Sequence, residues 1–243
     1  MLEYLKTGLV LMAITLVAGF ALSLIYELVK EPIAEAELQE KLQAIRTVLK
    51  DYATSEPIMN EDKIPSDSES LDRFTWDPEG FVAEAGVIYT SPSIRGAVYS
   101  PVYRFELPDN GQVFVLVGES QGYGGPVSIV SSFIVRDGEV ILNGIEVIEY
   151  AQETPGLGAN ISYDEVKERF YPVERSGLQA GLKVDKDAGV SPTTDTELMN
   201  RRRREEGIIQ TSDVMTGATI TANAVINALN LMYEFLSEAG VLQ

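Results

Sequence analysis

The stretch from Val127 to Ile148, VSIVSSFIVRDGEVILNGIEVI, decides the fold. Two β-branched and apolar runs, Val127 to Val135 and Val140 to Ile148, flank Asp137-Gly138. An Asp-Gly pair between two such runs predicts a β-hairpin, because its central residues must accept positive φ. Working upstream, Phe81 to Tyr89, Val98 to Phe105 and Val113 to Val117 are further strand-like runs, punctuated by Gly, Pro and Asp. Downstream, a short helix is expected over Tyr163 to Phe170. A longer helix begins close to Thr221, with Val225, Leu229, Met232 and Leu236 at helical spacing, Ile226 and Tyr233 widening the stripe, and Gly240 as a stop. The expected class is α+β, with a curved antiparallel sheet flanked by helices.

The amino terminus follows different rules. From Thr7 to Tyr26 no charged residue occurs, and this run between Lys6 and Glu27 matches the ~20 residues an α-helix needs to cross a bilayer core. A retained single-pass anchor is expected; a cleaved signal peptide, with Ala34-Glu35-Ala36 as a small-residue triplet, is the alternative. Lys6 opposes Lys30 across the run, so the charge bias for orientation is slight. Beyond it, Leu38, Leu42, Ile45, Leu49 and Tyr52 form an amphipathic stripe expected to pack on the following domain. Ser55 to Ser70 reads as a polar connector. The expected division is 1–28 anchor, 29–80 amphipathic helix and connector, and 81–243 main domain.

Composition removes whole classes of chemistry. With no Cys among 243 residues, thiol catalysis, disulfides and iron–sulfur ligation within the chain are excluded. With no His, the commonest general base, the usual haem ligand and most zinc schemes go too. No catalytic residue and no metal site is expected. A net charge of −18 disfavours nucleic acid, whose phosphates it would repel. Within this acidic chain, Arg201 to Arg204 forms a basic run, expected to be a solvated helix face offset by Glu205 and Glu206.

Three motifs remain. Asp213-Val214-Met215-Thr216-Gly217-Ala218-Thr219 ends in a hydroxyl behind two small residues at a helix start, where unpaired N–H groups and the helix dipole favour a phosphate. The competing reading is that Thr216, Thr219 and Thr221 merely cap the helix. Glu153-Thr154-Pro155-Gly156-Leu157-Gly158 offers a rigid bend whose glycines let backbone approach a flat ligand. Gly122-Tyr123-Gly124-Gly125-Pro126 is a third, Gly-rich turn between strands, also readable as a simple chain reversal.

These motifs resemble those of the G subunit of the Rnf electron-transport complex and its relatives. The segment ending at Thr219 is similar to the Asp-x-x-(Ser/Thr)-Gly-Ala-Thr signal by which flavin transferases attach FMN to the last Thr through a phosphoester. The hexapeptide and the Gly-Tyr-Gly-Gly turn resemble elements of the same family. The C subunit of the sodium-translocating NADH:quinone reductase, a related branch and the alternative assignment, tends to carry a Trp near that turn, whereas the Trp here is Trp76. The sequence also has Ala151-Gln152 where family members often have a His.

The resemblance implies covalent FMN at Thr219, with Asp213 for transferase recognition and Met215, Thr216, Gly217 and Ala218 shaping the phosphate site. It places Glu153, Thr154, Pro155, Gly156, Leu157 and Gly158 along the ring or ribityl chain. It further implies an electron relay in a complex coupling ferredoxin and NAD to ion translocation, with other Rnf membrane subunits and a flavin transferase as partners. The location would be the inner (cytoplasmic) membrane, with the main domain on the extracytoplasmic side. A membrane-anchored flavin sensor or scaffold, and a non-flavin adhesion or transport module, are the readings from other classes.

Overall fold

A computed structural model describes residues 2–242. It divides into two compact units, Met1–Glu40 and Lys41–Gln243. Helix α1 runs without interruption over Leu2–Val48, with Pro32 inside it, so the apolar run and Leu38, Leu42 and Ile45 of the amphipathic stripe belong to one helix, while Leu49 and Tyr52 lie past its end. It is long and apolar enough to cross a membrane; its most apolar window has a mean hydropathy of 2.5, and none of that window is buried.

In the second unit, α2 (Ser68–Asp72) precedes the strands β1 (Thr75–Trp76), β2 (Val87–Tyr89), β3 (Ala97–Glu106), β4 (Gln112–Gln121), β5 (Pro126–Arg136) and β6 (Glu139–Glu149). Helix α3 (Asp164–Lys167), strand β7 (Val173–Glu174), helix α4 (Arg175–Ala180) and strand β8 (Lys183–Val184) follow. Helix α5 (Thr196–Glu206), strand β9 (Ile208–Ile209) and helix α6 (Thr219–Glu238) complete the chain. The main sheet is open and antiparallel in the order β1-β3-β4-β5-β6-β7, and β2 pairs with the same edge of β3 as β1. Strands β8 and β9 form a separate parallel pair.

The β5–β6 hairpin forms where Asp137-Gly138 predicts it, with φ of 51° and 82° at the two turn residues. Register shifts between Tyr99 and Tyr103, Ser128 and Ile129, and Ser132 and Phe133 are the kinks by which bulged strands bend a sheet. Of the run from Phe81 only Val87–Tyr89 is strand. The helix expected over Tyr163 to Phe170 is the shorter α3.

Both faces of the central strands are buried: Val113 to Leu116 of β4 and Val127 to Ile134 of β5 are buried without alternation, the latter including Ser128, Ser131 and Ser132. One face packs against α6, whose Val225, Leu229, Met232, Phe235 and Leu236 join Phe114, Leu116, Ile129 and Phe133 in the main core. The last turns of α1 bury Leu42, Ile45 and Val48, and Leu49 just past its end is buried with them. Their position is fixed by Asn143 on β6, whose Nδ2 donates to the carbonyls of Val48 (3.0 Å) and Lys50 (2.8 Å). A β-strand side chain thereby satisfies the carbonyl groups that a helix end leaves open. The stripe thus packs on the domain, as its spacing predicts.

Helix α6 starts two residues earlier than expected, at Thr219. At its other end, Val241 N–H donates to Leu236 O across Gly240, which has a φ of 76°, the left-handed closure that glycine permits. The basic run is not a solvated face. Arg201 is exposed, but Arg202 to Arg204 are half-buried. Burial, with Arg204 and Arg169 nearby, pushes the Arg203 guanidinium down to about 10.

Candidate functional site

The three motifs converge on one cleft of about 320 Å³, lined by residues that include Tyr123, Glu153, Leu157, Gly158, Ala218 and Ile220. Strand β6 delivers the hexapeptide just past its end, the β4–β5 connection delivers Tyr123, and the start of α6 supplies the third wall.

Glu153 is the joint between them. It is 4% exposed. Its Oε1 accepts from Gly124 N–H at 3.1 Å and its Oε2 from the Thr221 hydroxyl at 2.5 Å. One buried carboxylate therefore ties the Gly-rich turn and the helix start to the hexapeptide, and among the described residues its charge is offset by hydrogen bonds rather than by a cation. Gly158 is where close approach is needed: a Cβ there would collide with the Glu153 carboxylate and lie 2.7 Å from Thr221 Oγ1.

The threonines do not cap α6. Thr216 Oγ1 donates back to Ser212 O at 2.8 Å, Thr221 serves Glu153, and the N-cap position, Ala218, has no side chain to offer. Thr219 is half-buried and its hydroxyl makes no hydrogen bond among the described residues. The first turn of a 20-residue helix thus lacks a side-chain cap at the place where its dipole favours an anion. Thr219 itself does not line the cleft; its neighbours Ala218 and Ile220 do.

The remaining site residues separate into two groups. Thr154, Leu157, Gly158, Gly217 and Ala218 lie on the cleft with Glu153, whereas Met215 is buried in the core and Pro155, Gly156 and Thr216 stand outside it, exposed. Gly156 has a φ of 74°, and a Cβ there would meet nothing within 4 Å, so its glycine serves the turn rather than a close approach. Asp213 lies apart from the cleft: its Oδ2 pairs with Arg169 at 3.1 Å and accepts from Gln210 Nε2 at 3.0 Å.

Ile220 and Thr221 were not legible as wall residues from the motifs, because only the turn of the helix decides which side chains face the cleft. Tyr123, Leu157 and Ile220 are 71%, 45% and 52% exposed, an apolar rim around a polar floor. The arrangement suits a ligand with a flat apolar part and an anionic tail. FMN has both.

Several known proteins are similar to this chain. The FMN-binding domain family matches residues 122–234, which contain all three motifs. A curated relative from Acetobacterium woodii, named as the G subunit of a Na⁺-translocating ferredoxin:NAD⁺ oxidoreductase complex, is 27% identical over 239 residues, covering 96% of this chain and 93% of its own. The G subunit of a proton-translocating ferredoxin:NAD⁺ oxidoreductase complex from Clostridium ljungdahlii is 31% identical over 112 residues, and the match spans 46% of each chain. Among solved structures, a Thermotoga maritima protein assigned as an RnfG subunit of an electron transport complex is similar with a TM-score of 0.59 and 34% identity, covering 82% of this chain and 97% of that one. The chain belongs to the RnfG family, whose named members here are G subunits of oxidoreductase complexes.

Proposed function

We propose that this chain is the flavin-bearing electron relay of an Rnf-type ferredoxin:NAD⁺ oxidoreductase, with FMN joined to Thr219 through a phosphoester. The observation that carries the reading is the Thr219 hydroxyl, unengaged at an uncapped helix start whose flanking residues line the cleft. The free N–H groups of the first turn of α6 would hold the phosphate. Tyr123, Leu157 and Ile220 would hold the ring, and Gly158 leaves room beside the Glu153 carboxylate. Bound FMN would supply one- or two-electron transfer, and a chain without Cys holds no iron–sulfur cluster in its place.

Attachment requires a flavin transferase, which reads the segment from Asp213 to Thr219. Met215, buried at 3% exposure, anchors that segment, while Thr216 and Gly217 stay exposed to the transferase. Helix α1 is a single-pass anchor, the FMN domain lies on the extracytoplasmic side, and the other Rnf membrane subunits are its partners.

Co-expression with a flavin transferase tests the assignment. Intact mass should rise by one FMN, and denatured protein should remain fluorescent on a gel. Thr219→Ala should abolish both signals; unchanged labelling of that variant would overturn the attachment site.

A further inference from the structure

We propose that Asp185 is a positioning residue for flavin attachment: its buried carboxylate holds the segment ending at Thr219 in a folded loop, and the transferase recognises that loop rather than a bare stretch of chain. The inference rests on the reading of Thr219 as the attachment site. Asp185 belongs to none of the three motifs, lies just past β8 and is 2% exposed.

Its place follows from the parallel strand pair. Val184 stands opposite Ile209, and Asp185 N–H donates to Ile209 O at 2.8 Å, which brings the carboxylate against the chain that leaves β9. There Oδ1 accepts from Thr211 N–H at 3.2 Å and Oδ2 accepts from the Ser212 hydroxyl. Asp185 makes no ion pair among the described residues, so these two bonds are what offsets the burial of its charge. Both donors directly precede Asp213, the first residue of the segment that the transferase reads.

From these two residues a chain of hydrogen bonds runs to the start of α6. Thr211 O accepts from Val214 N–H at 3.2 Å and from Met215 N–H at 2.7 Å, and Ser212 O accepts from the Thr216 hydroxyl at 2.8 Å. Met215 O in turn accepts from Ala218 N–H at 3.0 Å, and Ala218 O from Ala222 N–H at 3.2 Å. The carboxylate therefore fixes two residues whose carbonyls fix the next turn, and that turn sets the peptide that carries Thr219. Two residues beyond Asp185, Asp187 Oδ2 accepts from Asn223 Nδ2 at 2.7 Å, about one helical turn past Thr219. The loop is thus held at both ends by one short piece of chain. A hydroxyl offered to a second protein binds with less ordering cost when its loop is already set. In the transfer itself, the Thr219 oxygen bonds to the flavin-side phosphorus of a flavin dinucleotide, the phosphoanhydride bond breaks, the nucleoside monophosphate leaves and the hydroxyl proton is released. Asp185 acts on that step only through the loop.

The test uses the full-length chain in detergent, made without transferase and then incubated with purified transferase and flavin adenine dinucleotide. Protein-bound flavin fluorescence gives kcat and KM for the chain as substrate. Asp185→Ala should raise KM at least about fivefold with a smaller change in kcat, because the loop must then be ordered on binding. Asp185→Asn should return KM close to the wild-type value, since its amide oxygen still accepts from Thr211 N–H and its Nδ2 can donate to the Ser212 oxygen. Adding Ser212→Ala to that variant should undo the rescue. Leu42→Ala removes a buried side chain outside the core cluster that holds Met215 and α6, so it should lower the unfolding midpoint and keep the wild-type KM. Should Asp185→Ala not fold, Ser212→Ala alone carries the comparison, with a KM rise of about twofold. Equal KM in the variants that fold, or an equal rise in Leu42→Ala, would overturn the inference while a labelled wild type leaves the attachment site standing. A wild-type chain that takes no flavin would overturn the attachment reading and this inference with it.

Discussion

Thr221 Oγ1 donates to Glu153 Oε2 at 2.5 Å, a bond between residues 68 apart that joins the first turn of α6 to the hexapeptide. The same carboxylate accepts from Gly124 N–H. Neither element alone makes the cleft. A strand end, a Gly-rich turn and a helix start become one site because a single buried side chain bonds to two of them and belongs to the third.

Glu153→Ala should therefore act on stability and site together. Losing both bonds leaves the Thr221 hydroxyl and the Gly124 N–H without partners, a cost of about 2 kcal/mol or more in urea unfolding. Glu153→Gln keeps the shape and one acceptor oxygen, so it should cost less while changing the charge beside the flavin. A shift in flavin reduction potential with little change in unfolding midpoint is the expected signature.

Gly158→Ala and Gly156→Ala should separate cleanly. At Gly158 the new methyl collides with Glu153, so the flavin spectrum should change and the variant should lose about 1–3 kcal/mol. At Gly156 it meets open space but carries the cost of positive φ, so only about 1 kcal/mol should be lost and the spectrum kept. Equal spectral effects would show that the bend, not the close approach, shapes the site.

Asp213 tests recognition. Its ion pair with Arg169 is partly exposed, so Asp213→Asn should change stability by at most about 1 kcal/mol. Flavin loading by the transferase should nevertheless fall sharply. Arg169→Ala removes the pair but keeps the carboxylate, and should load normally; loss of loading there as well would assign Asp213 a purely structural part.

Alkaline unfolding has a defined sign. Burial, followed by the nearby Asp72 charge, pushes the Tyr103 phenol up to about 12 from an ordinary value near 10. Its contribution to stability is thus complete below about pH 10 and is lost as pH rises through 12. Urea midpoints measured between pH 9 and pH 12 should fall in the wild type. They should fall less in Tyr103→Phe, with a residual slope from Tyr99, Tyr171 and Tyr233, which are raised by burial as well.

Topology can be read with a reporter active only in the cytoplasm, fused after Gln243. It should be inactive if Lys6 stays inside and the FMN domain outside. An active reporter would reverse the orientation, for which the flanking lysines provide only a slight bias.

Local sequence determined the elements. The Asp137-Gly138 turn, the β-branched runs on either side, the apolar stripe of α6 and the Gly240 stop all express backbone preferences and periodicities that act over a few residues. The uncharged run from Thr7 to Tyr26 likewise needs nothing beyond itself to be apolar and long. The three motifs were legible, as was the hydroxyl that ends the last of them. What only the tertiary structure decided is who meets whom. That Glu153 bonds Thr221, that Gly158 rather than Gly156 needs its missing Cβ, and that Arg203 is half-buried all depend on contacts between residues far apart in the chain. Burial and hydrogen-bond partnership are properties of such contacts, and residue spacing along the sequence does not contain them.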